Sequence, residues 1–270
     1  MGFSRAEKRR IKMKYGAWAL VTGASSGIGK ELAGRLAECG LNLLLTARRG
    51  SVLQELAADM RSRYGVETMV VEADLSSHTD VLTIIDASKS LDIGLVVAAA
   101  GFGTSGLFFQ SALEQEVNML QVNCHALMVL THHFSRILAD KGQGGIILLS
   151  SIVGFQGVPF SAHYAATKAY VQSLAEALSL EMRPYGVDVL AAAPGPVQSG
   201  FADRAGMQMG AALKTSDVGI PILKALGRKS TVLPGFLTKF LVGSLRTLPR
   251  WGKVRVMSMV MGGMTKHQRM

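Results

Sequence analysis

Cysteine is scarce in this 270-residue chain, and the two present, Cys39 and Cys124, stand far apart with no C-x-x-C or metal-ligand spacing. A disulfide framework and a zinc site are thereby excluded, and a reducing, cytoplasmic compartment is expected. Apolar runs long enough to cross a bilayer are lacking as well. Residues 93–113 and 142–167 carry no Asp, Glu, Lys or Arg, but glycines and polar residues break both stretches, so neither reads as a spanning helix. The apolar run 17–21 behind the basic start ends at Thr22-Gly23, too soon for a signal peptide. Ala6 stands where a myristoylated start wants Ser or Thr. The six histidines, His132-His133 included, show no H-E-x-x-H or paired-ligand spacing, and no metal is expected.

Acidic residues are missing from one end. From residue 224 onward there are ten Lys or Arg and no Asp or Glu, while residues 1–14 hold six basic residues and one acidic. The net charge of +10 therefore sits on the ends, around a slightly acidic body. Such a body argues against nucleic-acid binding. The basic ends point either to an anionic surface such as a membrane or to plain solvation.

What is present is an alternation of short β-branched or leucine-rich runs with longer helix-like segments. Strands are expected near 18–22, 41–47, 67–72, 93–99, 145–150, 187–193 and 231–233, and helices near 27–39, 51–64, 77–88, 114–140, 162–183 and 215–226. That order predicts an α/β fold: a single-domain, doubly wound parallel sheet of about seven strands with helices on both faces. No linker or internal repeat interrupts it. A basic arm, 1–14, precedes this domain, 15–233. A Met-rich tail, 234–270, follows, with Pro234-Gly235 and Pro249 marking helices over 236–248 and 251–261.

Thr22-Gly23-Ala24-Ser25-Ser26-Gly27-Ile28-Gly29 follows the first strand and opens a helix. Glycines let a backbone approach phosphates closely, and the N–H groups and dipole of a helix start favour negative charge. Gly23, Ser25, Ser26, Gly27, Ile28 and Gly29 are the candidates to hold a pyrophosphate. The second strand ends Ala47-Arg48-Arg49, where a basic side chain suits a ribose 2′-phosphate. Further on, Tyr164 and Lys168 lie four residues apart, on one face of a helix. A phenol of ordinary pKa, about 10, exchanges its proton poorly near neutrality, and a neighbouring ammonium makes that exchange practicable.

The G-x-x-x-G-x-G turn and the Tyr164-x-x-x-Lys168 pair, in this order, resemble the short-chain dehydrogenase/reductase family over about 18–233. The resemblance implies a Rossmann-like fold and NADPH/NADP as cofactor, since Ala47 stands where NAD-binding members carry Asp and Arg48 follows it. It implies catalytic roles for Ser151, Tyr164, Lys168 and Asn123. Ser151 lies 13 positions before Tyr164 and would hold the substrate oxygen, with Ser150 as the competing choice. Asn123 would support the lysine through a water, and Tyr164 and Lys168 would also touch the cofactor. Asp74 matches the residue that contacts adenine, and it also reads as a helix-start cap. Val197, through its backbone, and Ser199, through its hydroxyl, would meet the nicotinamide carboxamide. The chain departs from the family pattern at Ala98-Ala99-Ala100-Gly101, where Asn-Asn-Ala-Gly is usual. Ala100 keeps its place against the cofactor, but the asparagine amides are gone.

The implied function is an NADPH-dependent oxidoreductase moving a hydride between nicotinamide and a carbonyl or alcohol. The alternative is a catalytically silent NADP-binding regulator or scaffold on the same fold. Phe102, Leu107, Phe108, Phe155, Phe160, Phe201 and Met207 are expected at the substrate, which points to an apolar, lipid-, steroid- or acyl-like ketone. A homodimer or homotetramer is expected with the resemblance. In a helix over 236–248, Phe236, Leu237, Phe240, Leu241, Leu245 and Leu248 share one broad face and Lys239 and Arg246 the other. That face either lies on an anionic membrane or packs on the body or a second subunit, covering the substrate pocket.

Overall fold

Leucine, valine and isoleucine runs of five or six residues cannot stay in water, and here they become the middle layer of the molecule. The structure, a computed structural model, describes residues 2–208, 210 and 212–268, without the side chain of Leu237. Six strands come first: β1 (Trp18–Thr22), β2 (Asn42–Ala47), β3 (Thr68–Glu72), β4 (Ile93–Ala98), β5 (Gly144–Leu149) and β6 (Val187–Ala192). β7 (Val197–Gln198) and β8 (Leu213–Lys214) pair with each other apart from the rest, and β9 (Thr231–Val232) completes the main sheet. Its order is β3-β2-β1-β4-β5-β6-β9, parallel throughout. β4 and β5 are buried at every residue, as a sheet covered on both faces requires.

Eleven α-helices are described: α1 (Arg5–Tyr15), α2 (Gly27–Glu38), α3 (Gly50–Tyr64), α4 (His78–Ser88), α5 (Leu113–Leu120), α6 (Leu127–Lys141), α7 (Ala162–Glu181), α8 (Phe201–Ala205), α9 (Ser216–Ala225), α10 (Phe236–Arg246) and α11 (Arg250–Met264). Successive strand residues face opposite sides, so alternate residues join different cores. Val21, Leu45, Val97 and Ile147 cluster with Leu32 and Leu36 of α2, Leu53 of α3 and Ile222 of α9. Leu20, Leu44 and Val96 cluster with Ile84 of α4 and Phe134 of α6, and Ile146 and Leu148 with Val171 of α7.

Two elements differ from the sequence expectation. The basic arm is a docked helix. Ser4 caps α1 in a reciprocal box with Glu7, and Ile11 and Tyr15 enter the core. Lys8 pairs with Glu38 at 2.8 Å, Lys14 with Asp188, and Glu7 with Lys224 at 2.9 Å, while Arg10 donates to the Leu226 carbonyl at 3.0 Å. Two of the arm's six cations, Lys8 and Lys14, are thus paired with carboxylates of the body. The expected single helix over 114–140 is instead α5 and α6 joined by a π-helical turn, Gln121–Ala126. Asn123 sits in that turn with its side chain claimed from two directions. Its amide donates to the Phe102 carbonyl at 2.8 Å and to Thr167 Oγ1 at 3.1 Å, and its Oδ1 accepts from Phe102 N at 3.1 Å. Such turns recur at functional sites.

Candidate active site

Chain order reverses across β1, which has β2 on one side and β4 on the other, and the crevice beyond the strand ends opens there. The Gly23–Gly29 turn forms its floor. Gly23 has φ +66°, and a Cβ on it would stand 2.8 Å from Ala100 Cα. A Cβ on Gly29 would collide with the Gly23 carbonyl. Only glycines allow this turn to fold so closely beneath the start of α2, where Ser26 is the N-cap and spends no side-chain bond on capping. Gly23, Ser25, Ser26, Gly27, Ile28, Gly29, Arg48, Asp74, Ala100, Val197 and Ser199 all line one cavity together with Ser151, Tyr164 and Lys168. A dinucleotide fits this donor set: backbone N–H groups for the pyrophosphate and, at the adenosine end, two guanidinium groups for a phosphate.

At that end Arg48 Nη1 lies 3.9 Å from Asp74 Oδ2, both side chains exposed, while Arg49 donates to Ser25 Oγ at 3.1 Å. Asp74 is not the cap of α4. That role belongs to Ser77, which accepts from Asp80 N. Asp74 Oδ1 instead accepts from Ser76 N at 3.0 Å in an Asx turn, and its other oxygen faces Arg48. The loss of asparagine amides after β4 has a local answer in Thr22, which is fully buried. Its hydroxyl accepts from both Ala99 N and Ala100 N, each at 3.1 Å, tying the end of β4 to the end of β1.

Ser151, Tyr164 and Lys168 converge on one wall. The last two are buried one turn apart in α7. The first turn of α7 is held by Glu116 of α5, whose Oε2 lies 2.6 Å from His163 Nδ1. Lys168 Nζ donates to the Leu149 carbonyl at 2.7 Å and sits 5.8 Å from the Tyr164 ring centroid. Burial drives the Tyr164 phenol well above its usual range, while the Ser151 hydroxyl beside it pulls the other way. Burial also brings the Lys168 ammonium down, to about 8. Ser150, the competing serine, is committed elsewhere: its buried hydroxyl donates to the Lys168 carbonyl at 2.9 Å and fastens β5 to α7. Ser151 Oγ, at the cavity wall, accepts a long 3.4 Å bond from Val153 N and faces the Tyr164 phenol. Asn123, behind the wall, braces the Phe102 backbone against Thr167 of α7 and does not line the cavity.

The cavity encloses about 480 Å³ and is walled mainly by apolar side chains. Phe102, Phe201 and Met207 line it as expected; Leu107, Phe108, Phe155 and Phe160 do not. Phe201 packs on Tyr164 with ring centroids 5.1 Å apart. A further wall comes from the tail, through Leu245 of α10, as the alternative of a tail packed over the pocket expects, and through Met257, Met261 and Met264 of α11, which sequence reading did not name. The signal was present, since 257, 261 and 264 recur at helical spacing. The end of the tail is also fastened to the body beside the cavity-lining Arg204 and Met207. Gln268 Nε2 donates to Ser105 Oγ at 3.0 Å and to the Gly206 carbonyl, and Ser105 Oγ donates to the Ala205 carbonyl at 2.6 Å.

Comparison with known proteins adds to this geometry. A family model described as short chain dehydrogenase matches residues 17–209. The 7beta-hydroxysteroid dehydrogenase of Clostridium sardiniense is 32% identical over 233 residues, covering 85% of this chain and 89% of that protein. A solved 7beta-hydroxysteroid dehydrogenase, studied for its stereoselectivity, superposes with a TM-score of 0.85 at 29% identity, over 92% of this chain and 98% of its own. A short-chain dehydrogenase from Sphingobium yanoikuyae in complex with NADPH superposes with a TM-score of 0.77 at 29% identity, over 86% of this chain and 94% of its own.

Proposed function

This chain belongs to the short-chain dehydrogenase/reductase family and is an NADP(H)-dependent oxidoreductase of alcohol and carbonyl groups, and on that premise we propose that it reduces a large apolar ketone, with Tyr164 as proton donor. The observation that carries the reading is the meeting of Ser151, Tyr164 and Lys168 on the wall of a largely apolar cavity whose floor is the glycine-rich turn. Likeness to 7beta-hydroxysteroid dehydrogenases supports a bulky, fused-ring or similarly extended substrate.

Bound NADPH supplies the hydride to the carbonyl carbon. The hydroxyls of Ser151 and Tyr164 hold the carbonyl oxygen, which gains negative charge as the carbon is reduced. Tyr164 then gives that oxygen its proton. Lys168, when charged, stabilises the phenolate left behind and holds the cofactor ribose. Asn123 keeps the backbone at Phe102 and the start of α7 at a fixed separation, so these groups do not drift apart. Gly23, Ser25, Ser26, Gly27, Ile28 and Gly29 take the pyrophosphate, Arg48 the 2′-phosphate, Asp74 the adenine side, Ala100 the ribose side, and Val197 and Ser199 the carboxamide. No observation favours the silent scaffold.

A homodimer or homotetramer is supported by exposed Val117 and Leu120 on α5, Met128 and Ile137 on α6, and Tyr170 and Leu180 on α7. A reducing, cytoplasmic setting is supported by two free, buried cysteines. The deciding experiment follows NADPH oxidation with ketones graded from small and water-soluble to fused-ring and long-chain. The expected result is turnover that depends on substrate and favours the bulky members. Slow NADPH loss that no ketone accelerates would instead mean the silent alternative.

A further inference from the structure

The tail has seven Lys or Arg and no acidic residue over 234–270. In α1 two cations, Lys8 and Lys14, pair with carboxylates of the body. Lys239 and Arg246 have no ion-pair partner among the described residues. α10 meets the body along one edge of its apolar face. The side turned to the body carries Thr238, Val242 and Leu245, and Thr238 fits there because Gly195 leaves room, a Cβ at 195 standing 2.8 Å from its Oγ1. The aromatic side is left in water: Phe236 is 85% exposed and Phe240 61%. Trp251, at the start of α11, is 65% exposed, with the Arg255 guanidinium 5.5 Å from its ring centroid. Leu241 and Val260 are exposed and at the same time line the cavity, so the exposed apolar surface runs to the cavity mouth.

Aromatic and aliphatic groups at one surface, flanked by uncompensated cations, match the boundary of an anionic bilayer. There rings settle at headgroup level, and each basic residue adds attraction to acidic lipid. No described helix is long and apolar enough to cross a membrane, so the contact is peripheral. A second copy of this face is a poor occupant, because a two-fold contact would set Lys239, Arg246 and Arg250 near their own copies with no tail carboxylate to pair them. We propose that α10 and the start of α11 dock the protein on an anionic lipid surface, with the cavity mouth against the bilayer. A ketone dissolved in the lipid then reaches the mouth without crossing water, a consequence that rests on the proposed reaction. The docking does not rest on it.

The test is flotation of the full chain with phosphatidylcholine vesicles, with and without phosphatidylglycerol. It needs neither substrate nor turnover, so its failure and that of the proposed reaction are read separately. The full chain should float with the anionic vesicles at low salt, leave them as salt rises, and remain behind with phosphatidylcholine alone. Lys239→Gln with Arg246→Gln should weaken binding about thirtyfold, at about fivefold for each charge removed. Phe236→Ser with Phe240→Ser should abolish flotation while melting temperature and NADPH binding stay at wild-type values. The proposal is overturned if the full chain does not float with anionic vesicles at low salt, or if both double variants float as wild type does. It is equally overturned if sedimentation shows self-association that the Phe236→Ser, Phe240→Ser pair removes, which would make a second copy the occupant.

Discussion

Replacing Thr22 by Val tests how this chain manages without the asparagines usual after β4. The side chains are nearly equal in shape, so the change removes little more than a hydroxyl. That hydroxyl accepts from Ala99 N and Ala100 N at 3.1 Å each, and Ala99 N also reaches the Val97 carbonyl at 3.1 Å. Ala100 N therefore loses its acceptor outright while Ala99 N loses one of two. An orphaned buried donor costs about 1–3 kcal/mol and a lost ordinary hydrogen bond about 0.5–1.5 kcal/mol, so the variant should lose about 2–4 kcal/mol. In a chain of this size each kcal/mol lowers the melting temperature by about 2–4 °C, which places the expected drop at about 5–15 °C. Thermal denaturation followed by circular dichroism measures it, and Thr22→Ser, which keeps the oxygen, should recover most of the loss. Because Ala100 lines the cavity, NADPH affinity should fall with stability in Thr22→Val. A melting temperature within about 2 °C of wild type would show that Thr22 does not carry this cross-link.

Tyr164→Phe should cut kcat at least about a hundredfold with NADPH binding near wild type, whereas Lys168→Met should damage both; substantial turnover by Tyr164→Phe would remove the proton-transfer assignment. Arg48→Asp should shift the NADPH to NADH ratio of kcat/KM toward NADH by at least about tenfold, and an unchanged ratio would transfer the phosphate contact to Arg49. Burial keeps the Tyr164 phenol protonated through the alkaline range and sets Lys168 near about 8, so kcat/KM for NADPH should fall as pH rises through about 8. Lys168→Arg should lack that limb, and a wild-type profile that stays level well beyond it would contradict the assignment. Gln268→Ala removes the bond that closes the tail over Ser105, so KM for a bulky ketone should rise about two- to tenfold with that for a small ketone unchanged; equal effects on both would assign Gln268 to folding alone.

The sheet was legible because fully buried strands such as β4 and β5 have no choice but continuous apolar sequence. The cofactor turn and the Tyr164–Lys168 pair were legible because local spacing alone places their groups. What was not legible depends on partners distant in sequence. The π turn at Asn123 exists alongside calls on one amide from Phe102 and Thr167, and no local pattern announces that meeting. The arm reads as meeting an anionic surface or as solvated, because the acidic partners of Lys8 and Lys14, Glu38 and Asp188, come from elsewhere in the chain. The tail is the most instructive case. Its helices were foreseeable from Pro234-Gly235 and Pro249, but an amphipathic pattern says only that two faces differ, not which one meets the body. Here Thr238 and Val242 are packed and Phe236 and Phe240 are not, because the loop at Gly195 admits a short side chain lying flat against its backbone. Val242 and Leu245 are packed at the edge of that pattern, so only part of the apolar face is covered by the body. The exposed Phe236 and Phe240, beside the unpaired cations Lys239 and Arg246, are the surface that the proposed docking on anionic lipid would cover.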